Sequence, residues 1–275
     1  MPELPEVEIT RRGIAPEIEG AMILDAIVRN PRLRWPIPDH FPSLVQGRTI
    51  LAVKRRAKYI LIELDHGYLV LHLGMSGSFR FVTHDTPIEK HDHVDLIFKA
   101  AHGGTSILRY RDPRRFGAIL WTDTPQHLHP LLSKLGPEPL GDLFDAAYLS
   151  AICHRFSRPI KQLIMEGEIV VGVGNIYANE ALFLARIQPL RPAHSLSRDE
   201  VERLVSSIRQ VLQRAIETGG STLRDFQDAK GKPGYFQQEY NVYGRNGFNC
   251  HICNTTIISK HLGGRHTFWC EKCQH

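Results

Sequence analysis

The sequence predicts an α+β fold: an N-terminal antiparallel β-sandwich with flanking helices, then a helical domain ending in a β-hairpin zinc finger. Three observations predict it. Between residues 21 and 123, short β-branched or alternating segments follow one another, with Gly, Pro or Asp between them and no long helix. The second half turns to helical apolar spacing, clearest from Val201 to Ile216. Four of the five cysteines fall between positions 250 and 273, in two Cys-x2-Cys pairs.

The elements follow in order. Residues 5–20 read as a helix with Val7, Ile14 and Ile18 on one stripe; Pro16 kinks or shortens it, and Gly20 suits its end. Runs at 50–64, 68–73, 79–82, 94–99 and 106–121 read as strands. Leu135-Gly136-Pro137-Glu138-Pro139-Leu140-Gly141 is rich in Pro and Gly and marks a boundary. The division expected is therefore 1–134 (sandwich), 135–141 (linker), 142–244 (helical domain) and 245–275 (zinc finger). Ser197 to Glu200 forms a capping box ahead of the 201–216 stripe, which Gly219-Gly220 stops. Residues 221–238, with Gly231, Pro233 and Gly234, read as a mobile loop.

With 275 residues, 42% hydrophobic and 23% charged, the chain can bury a substantial core, and no apolar run is long enough to span a membrane. A net charge of +5 favours a polyanionic partner. Lys54-Arg55-Arg56-Ala57-Lys58-Tyr59 and Tyr110-Arg111-Asp112-Pro113-Arg114-Arg115-Phe116 combine cations for phosphates with aromatic faces for bases; solvated edges are the plainer alternative. His91 and His93 share a strand face without an assured third ligand, which argues against a metal there.

Cys250, Cys253, Cys270 and Cys273 fit a four-thiolate site for one structural Zn2+, since four thiolates leave no position for reactive water. Between the pairs, 255–258 and 266–269 read as strands, with Arg265 at the hairpin tip. Gly172-Val173-Gly174 permits a tight turn into a helix running to Leu184, which Asn175 can cap; such a helix start suits a phosphate. At the other end, Met1 precedes a small residue and is a candidate for removal, which would leave Pro2 with a free secondary amine. An α-amino group has a reference pKa of about 8, so part of it is unprotonated near neutrality and nucleophilic. Condensed with a sugar aldehyde it gives an iminium ion that promotes elimination. Glu3 and Glu6 stand beside it to move protons.

Six motifs occur together and in order: Pro2-Glu3-Leu4-Pro5-Glu6-Val7, Arg55-Arg56-Ala57-Lys58-Tyr59, His72-Leu73-Gly74-Met75-Ser76-Gly77, Asp112-Pro113-Arg114-Arg115-Phe116-Gly117, Gly172-Val173-Gly174-Asn175-Ile176-Tyr177 and the four-cysteine hairpin. Together they resemble the bacterial formamidopyrimidine-DNA glycosylases over nearly the whole chain. The resemblance implies a helix–two-turn–helix domain between sandwich and zinc finger, with damaged double-stranded DNA bound in the cleft. It implies excision of oxidised purines, chiefly 8-oxoguanine and formamidopyrimidines, followed by strand cleavage through β,δ-elimination. By matching motifs, Pro2 is the Schiff-base nucleophile, Glu3 the proton donor, Lys58 the aid to β-elimination, and Arg265 the phosphate contact assigned to δ-elimination. His91, Arg114 and Asn175 match DNA contacts. Met75, Arg114 and Phe116 match the side chains that fill the gap left by a flipped nucleotide. Residues 222–235 match the loop that closes over the extruded base. A monomer in the bacterial cytoplasm, acting at the nucleoid, is implied. The chain departs from the family at Glu166, where Asp is usual, and at Ser157, where lysine is usual. Rival readings are the sister glycosylase for oxidised pyrimidines and a non-catalytic zinc-dependent lesion binder.

Overall fold

The computed structural model describes residues 2–99, 103–221 and 235–275. Met1 and the matched loop, save Tyr235, lie outside them. The chain divides into two units, residues 1–129 with 219–235, and residues 130–218 with 236–275.

In the first unit, helix α1 (Leu4–Ile18) opens with a capping box: the Glu6 carboxylate accepts the Glu3 backbone N–H at 2.8 Å. Pro16 lies in its last turn, where it has no N–H to donate to the preceding turn, and Gly20, at φ 79°, turns the chain towards β1 (Met22–Val28). A short helix, α2 (Phe41–Val45), follows. Sequence pattern did not single out β1, because a register shift between Ile23 and Asp25 breaks its alternation.

The expected strand at 50–64 is a hairpin of β2 (Ile50–Arg56) and β3 (Tyr59–Leu64). Its turn is Ala57-Lys58, with Ala57 at φ 55°, so the usual Gly or Asn signal is missing. Strands β4 (Tyr68–His72), β5 (Ser78–Val82) and β6 (Asp92–Lys99) agree with expectation within a residue or two. The run at 106–121 is also two strands, β7 (Thr105–Arg111) and β8 (Ala118–Thr122), and they belong to different sheets. One antiparallel sheet has the order β1-β6-β7-β5 and the other β2-β3-β4-β8. Ile23, Phe98, Leu108 and Tyr110 from the first meet Ile60, Ile62, Leu69 and Leu71 from the second in one buried cluster, joined by Val7, Ile14 and Ile18 of α1. Each such side chain contributes about 1.5–3 kcal/mol by leaving water.

The second unit holds α3 (Ala146–Cys153), α4 (Ile160–Ile164), α5 (Asn175–Leu184) and α6 (Arg198–Glu217). The Ser197–Glu200 capping box starts α6, its whole stripe from Val201 to Ile216 is buried, and Gly219 and Gly220 follow at φ 82° and 79°. Strands β9 (Ile258–Leu262) and β10 (Arg265–Trp269) form the terminal hairpin. The first of them starts later than the expected 255–258. Thr255 is tied into the cysteine knuckle instead, its carbonyl accepting the Cys250 N–H at 2.9 Å, with Asn254 at φ 61°.

Candidate active site and nucleic-acid interface

Pro2 is half-buried and enters α1 through Glu3, which is 2% exposed. The Glu6 carboxylate makes two buried bonds. One oxygen takes the Glu3 N–H and the other takes the Ser221 N–H at 2.9 Å, fixing the chain where the matched loop begins. Arg55 bridges α1 to the turn that carries Lys58: its guanidinium donates to Glu8 at 3.1 Å and to the Ala57 carbonyl at 3.0 Å. Lys54 is paired with Glu63. Lys54 and Arg55 are therefore engaged within the protein, and Lys58 stands at the turn between strands.

Next to that turn is His72, its ring 4.9 Å from that of Tyr59 and its Nδ1 accepting the Gly74 N–H at 3.1 Å. Burial first, then the charges of Lys58 and Arg34, lower its pKa to about 4 against the pull of Asp112. The ring is therefore neutral, with its proton on Nε2.

Asp112, fully buried, ties three candidate DNA-contact segments together. One carboxylate oxygen accepts Ser76 Oγ at 2.7 Å and the Arg114 N–H at 3.3 Å; the other accepts the Gly117 N–H at 2.8 Å and the Tyr110 hydroxyl at 3.1 Å. Its own N–H donates to the His91 carbonyl at 3.1 Å, and its carbonyl meets His93 Nε2 at 2.8 Å. The His93 ring is thereby tied to this backbone through Nε2. The segments are pressed together: a Cβ at Gly117 would lie 1.8 Å from the Tyr110 hydroxyl, and one at Gly74 would lie 2.4 Å from the Phe116 backbone. Met75 and Phe116 project from this frame, 39% and 44% exposed. The Arg114 guanidinium lies 4.9 Å over the Phe116 ring, and Arg32, Arg34 and Arg115 line the hollow beside them.

In the second unit Asn175 is the first residue of α5, and Gly174 occupies the cap position expected for Asn175. The Asn175 amide points elsewhere. Its oxygen accepts Lys161 Nζ at 2.7 Å, and its nitrogen donates to the His266 carbonyl at 3.1 Å. Lys161, 1% exposed, also donates to the His266 carbonyl at 3.0 Å and to Thr267 Oγ1 at 2.7 Å. Asn179 takes the Phe268 N–H at 2.8 Å. Glu180 takes the backbone N–H groups of Asn241, Val242 and Tyr243 at 2.8–3.0 Å. Helices α4 and α5 thus hold the outer edge of β10, whose first residue is the exposed Arg265, paired with Leu262.

The sulfurs of Cys250, Cys253, Cys270 and Cys273 lie within 4.8 Å of one another, with pairs at 3.9 and 3.4 Å. A tetrahedral zinc–thiolate site has sulfur–sulfur edges of about 3.8 Å, so the cluster fits a metal of that kind. Among the described residues it is the group of His, Cys, Asp and Glu side chains able to hold one. No helix among them is long and apolar enough to cross a membrane.

Sequence reasoning did not assign Lys161, Asp112, Asn179 or Glu180. Lys161 carried a faint signal, a single cation in the apolar run Ile160–Ile164. Asp112 stands in a motif with no role of its own assigned, and Asn179 and Glu180 look like ordinary helix residues.

Comparison with known proteins agrees with this geometry. The formamidopyrimidine-DNA glycosylase N-terminal domain matches residues 1–119, and the H2TH domain of the same proteins matches residues 135–227. The formamidopyrimidine-DNA glycosylases of Thioalkalivibrio sulfidiphilus and of an Enterobacter species are 55% and 53% identical to the chain over 274 residues, covering all of both sequences. A solved complex between the Lactococcus lactis Fpg and DNA containing an abasic site superposes with a TM-score of 0.91 at 36% identity over the full length of both chains. The MutM (Fpg) protein of Thermus thermophilus gives 0.86 at 40% identity, covering 99% of this chain and 98% of that one. With both units matched, the chain belongs to the formamidopyrimidine-DNA glycosylase family.

Proposed function

We propose that this protein excises oxidised purines, 8-oxoguanine and formamidopyrimidines, from duplex DNA and then cleaves the abasic strand. The observation that supports this reading is the full-length family match; Pro2 and Glu3 lead into α1. Once Met1 is removed, the Pro2 nitrogen attacks C1′ as the glycosidic bond breaks, and Glu3 supplies the proton. The sugar ring opens to an iminium ion. Loss of a C2′ proton expels the 3′ phosphate, aided by Lys58. A second elimination, with Arg265 on the phosphate, expels the 5′ phosphate, and water releases the enzyme. The neutral amine is what makes Pro2 reactive; an amide there is not nucleophilic.

The duplex is gripped by residues of both units. His91, Arg114 and Asn175 contact DNA, while Met75, Arg114 and Phe116 fill the gap and offset part of the unstacking cost, a few kcal/mol. One structural Zn2+ on the four cysteines holds the hairpin. The functional division keeps 1–134, the linker 135–141, 142–244 and 245–275. The protein acts as a monomer in the cytoplasm and needs no membrane.

Borohydride trapping on duplexes carrying 8-oxoguanine opposite cytosine tests the reading. The native protein should give a covalent adduct that maps to Pro2, and protein with an uncleaved N-terminal tag should give none. Glu3→Gln should lose base excision while cleavage of a preformed abasic site survives better. A full-rate tagged protein, or an adduct on Lys58, overturns the mechanism. Faster excision of thymine glycol than of 8-oxoguanine would favour the pyrimidine enzyme, and no adduct on any substrate a mere lesion binder.

A further inference from the structure

Between α4 and the tip of the terminal hairpin lies a cavity of about 220 Å³, lined by Arg158, Lys161, Gln162, Glu166, Gly263 and Arg265. The hairpin presses close here: a Cβ at Gly263 would stand 2.7 Å from Gln162 Nε2. The cavity wall holds three cations and one carboxylate. Lys161 is turned to the Asn175, His266 and Thr267 oxygens. Arg158 is forked onto Glu166, with one N–H donating at 2.7 Å and a second paired beside it, and its guanidinium lies 4.4 Å over the Phe156 ring. Both partners of that ion pair are partly exposed, so the pair is weakly stabilising and exchanges readily. A planar guanidinium held in a fork by a carboxylate presents the same fork to a phosphate, whose two free oxygens match it.

We propose that this cavity is a subsite for one phosphodiester of the DNA strand, in which Arg158 and Arg265 supply the charge and Glu166 is the internal counter-ion that the phosphate displaces. Glu166 keeps Arg158 extended and stacked on Phe156, ready for exchange. It also weakens binding, because the phosphate must compete with it. The proposal rests on the reading of Arg265 as a phosphate contact, but not on the chemistry at Pro2.

The ion pair makes a sign prediction. If it merely supports the fold, loss of either partner weakens DNA binding. If Glu166 is a displaceable counter-ion, the two losses have opposite signs. Affinity for an undamaged duplex is measured against salt for the native protein, Arg158→Gln, Glu166→Gln and the double variant, with zinc content confirmed for each. Arg158→Gln should weaken binding and reduce the log–log salt slope by about 0.9, the share of one phosphate. Arg158→Lys should keep the slope. Glu166→Gln should tighten binding several-fold with the slope unchanged, and that gain should vanish in the Arg158→Gln background, which separates hand-over of Arg158 from a general loss of negative charge. Weaker or unchanged binding by Glu166→Gln, or an equal gain in both backgrounds, overturns the proposal. Since the duplex is undamaged, borohydride trapping scores the catalytic reading separately. A failed trap with opposite signs leaves the subsite standing, and a positive trap with equal signs removes the subsite alone.

Discussion

Asp112 and Lys161 hold comparable places in the two units and carry opposite charges. Each is buried, and each gathers chain segments that bear candidate DNA contacts. Asp112 collects donors, namely the N–H groups of Arg114 and Gly117 with two hydroxyls, and so draws loops of the sandwich together. Lys161 collects acceptors, and so captures the edge of β10. The sandwich frame rests on eight paired strands and a shared apolar core. The hairpin has two short strands, too few to stand alone in water, and depends on its cysteine cluster and on Lys161 and Asn179. Loops seated on a large core need only a buried polar hub; a ribbon over a small cluster of Phe183, Val242, Ile257 and Phe268 needs a metal and a docking face as well.

The largest effect expected from that contrast follows metal removal. Chelation or Cys250→Ser should abolish duplex binding while the sandwich keeps its melting transition, because structural zinc in such fingers is worth about 10–16 kcal/mol to folding. Tight binding by metal-free protein would break the comparison. Asp112→Ala should do the reverse, lowering the stability of the first unit by about 4 kcal/mol, since it leaves several buried donors unpaired, and leaving zinc content untouched. Lys161→Met should loosen the metal and spare the sandwich. If urea titrations and zinc assays find both variants acting on the same unit, the two hubs are not separate.

Acid sharpens the contrast further. His72 titrates at about 4 in the fold against 6.5 in the unfolded chain, so the folded state binds fewer protons between those values. The stability tied to it is fully present above pH 6.5 and falls as the pH drops towards 4, by about 3 kcal/mol at the lower end. Urea melts of the first unit at pH 7 and pH 4.5 should show this loss, and His72→Gln should lessen it. The smallest effect is in α6, where Ser197→Ala removes the cap bond to the Glu200 N–H and should cost about 1 kcal/mol, read in the second unit alone.

Much of this was legible in the residues, and the failures have physical causes. The α6 stripe, its capping box and the cysteine cluster depend on local spacing, which a sequence displays directly. Strands β2 and β3 read as one because Ala57 takes a left-handed turn without a glycine. The bulge between Ile23 and Asp25 hides strand β1 from its sequence pattern. Asn175 is expected to cap its helix and instead donates directly to the His266 carbonyl of the hairpin, more than ninety positions away, beside Lys161. Asp112 lay within a recognised motif, but its service to three segments is visible only once the chain has folded.

The close packing around Gly74 and Gly117 also says where this protein can change. Neither position admits a side chain without moving backbone or the Tyr110 ring, so their identity is fixed by the frame. Met75, Arg114 and Phe116, by contrast, project outward and are not part of the buried core. Exposed substitutions of this sort usually shift stability by no more than about 0.5 kcal/mol. Selection, natural or in a library, can therefore vary those three side chains as a set over an unchanged scaffold. On the DNA-contact reading proposed above, a directed search for altered lesion or opposite-base preference belongs at 75, 114 and 116, with 74 and 117 held as glycine.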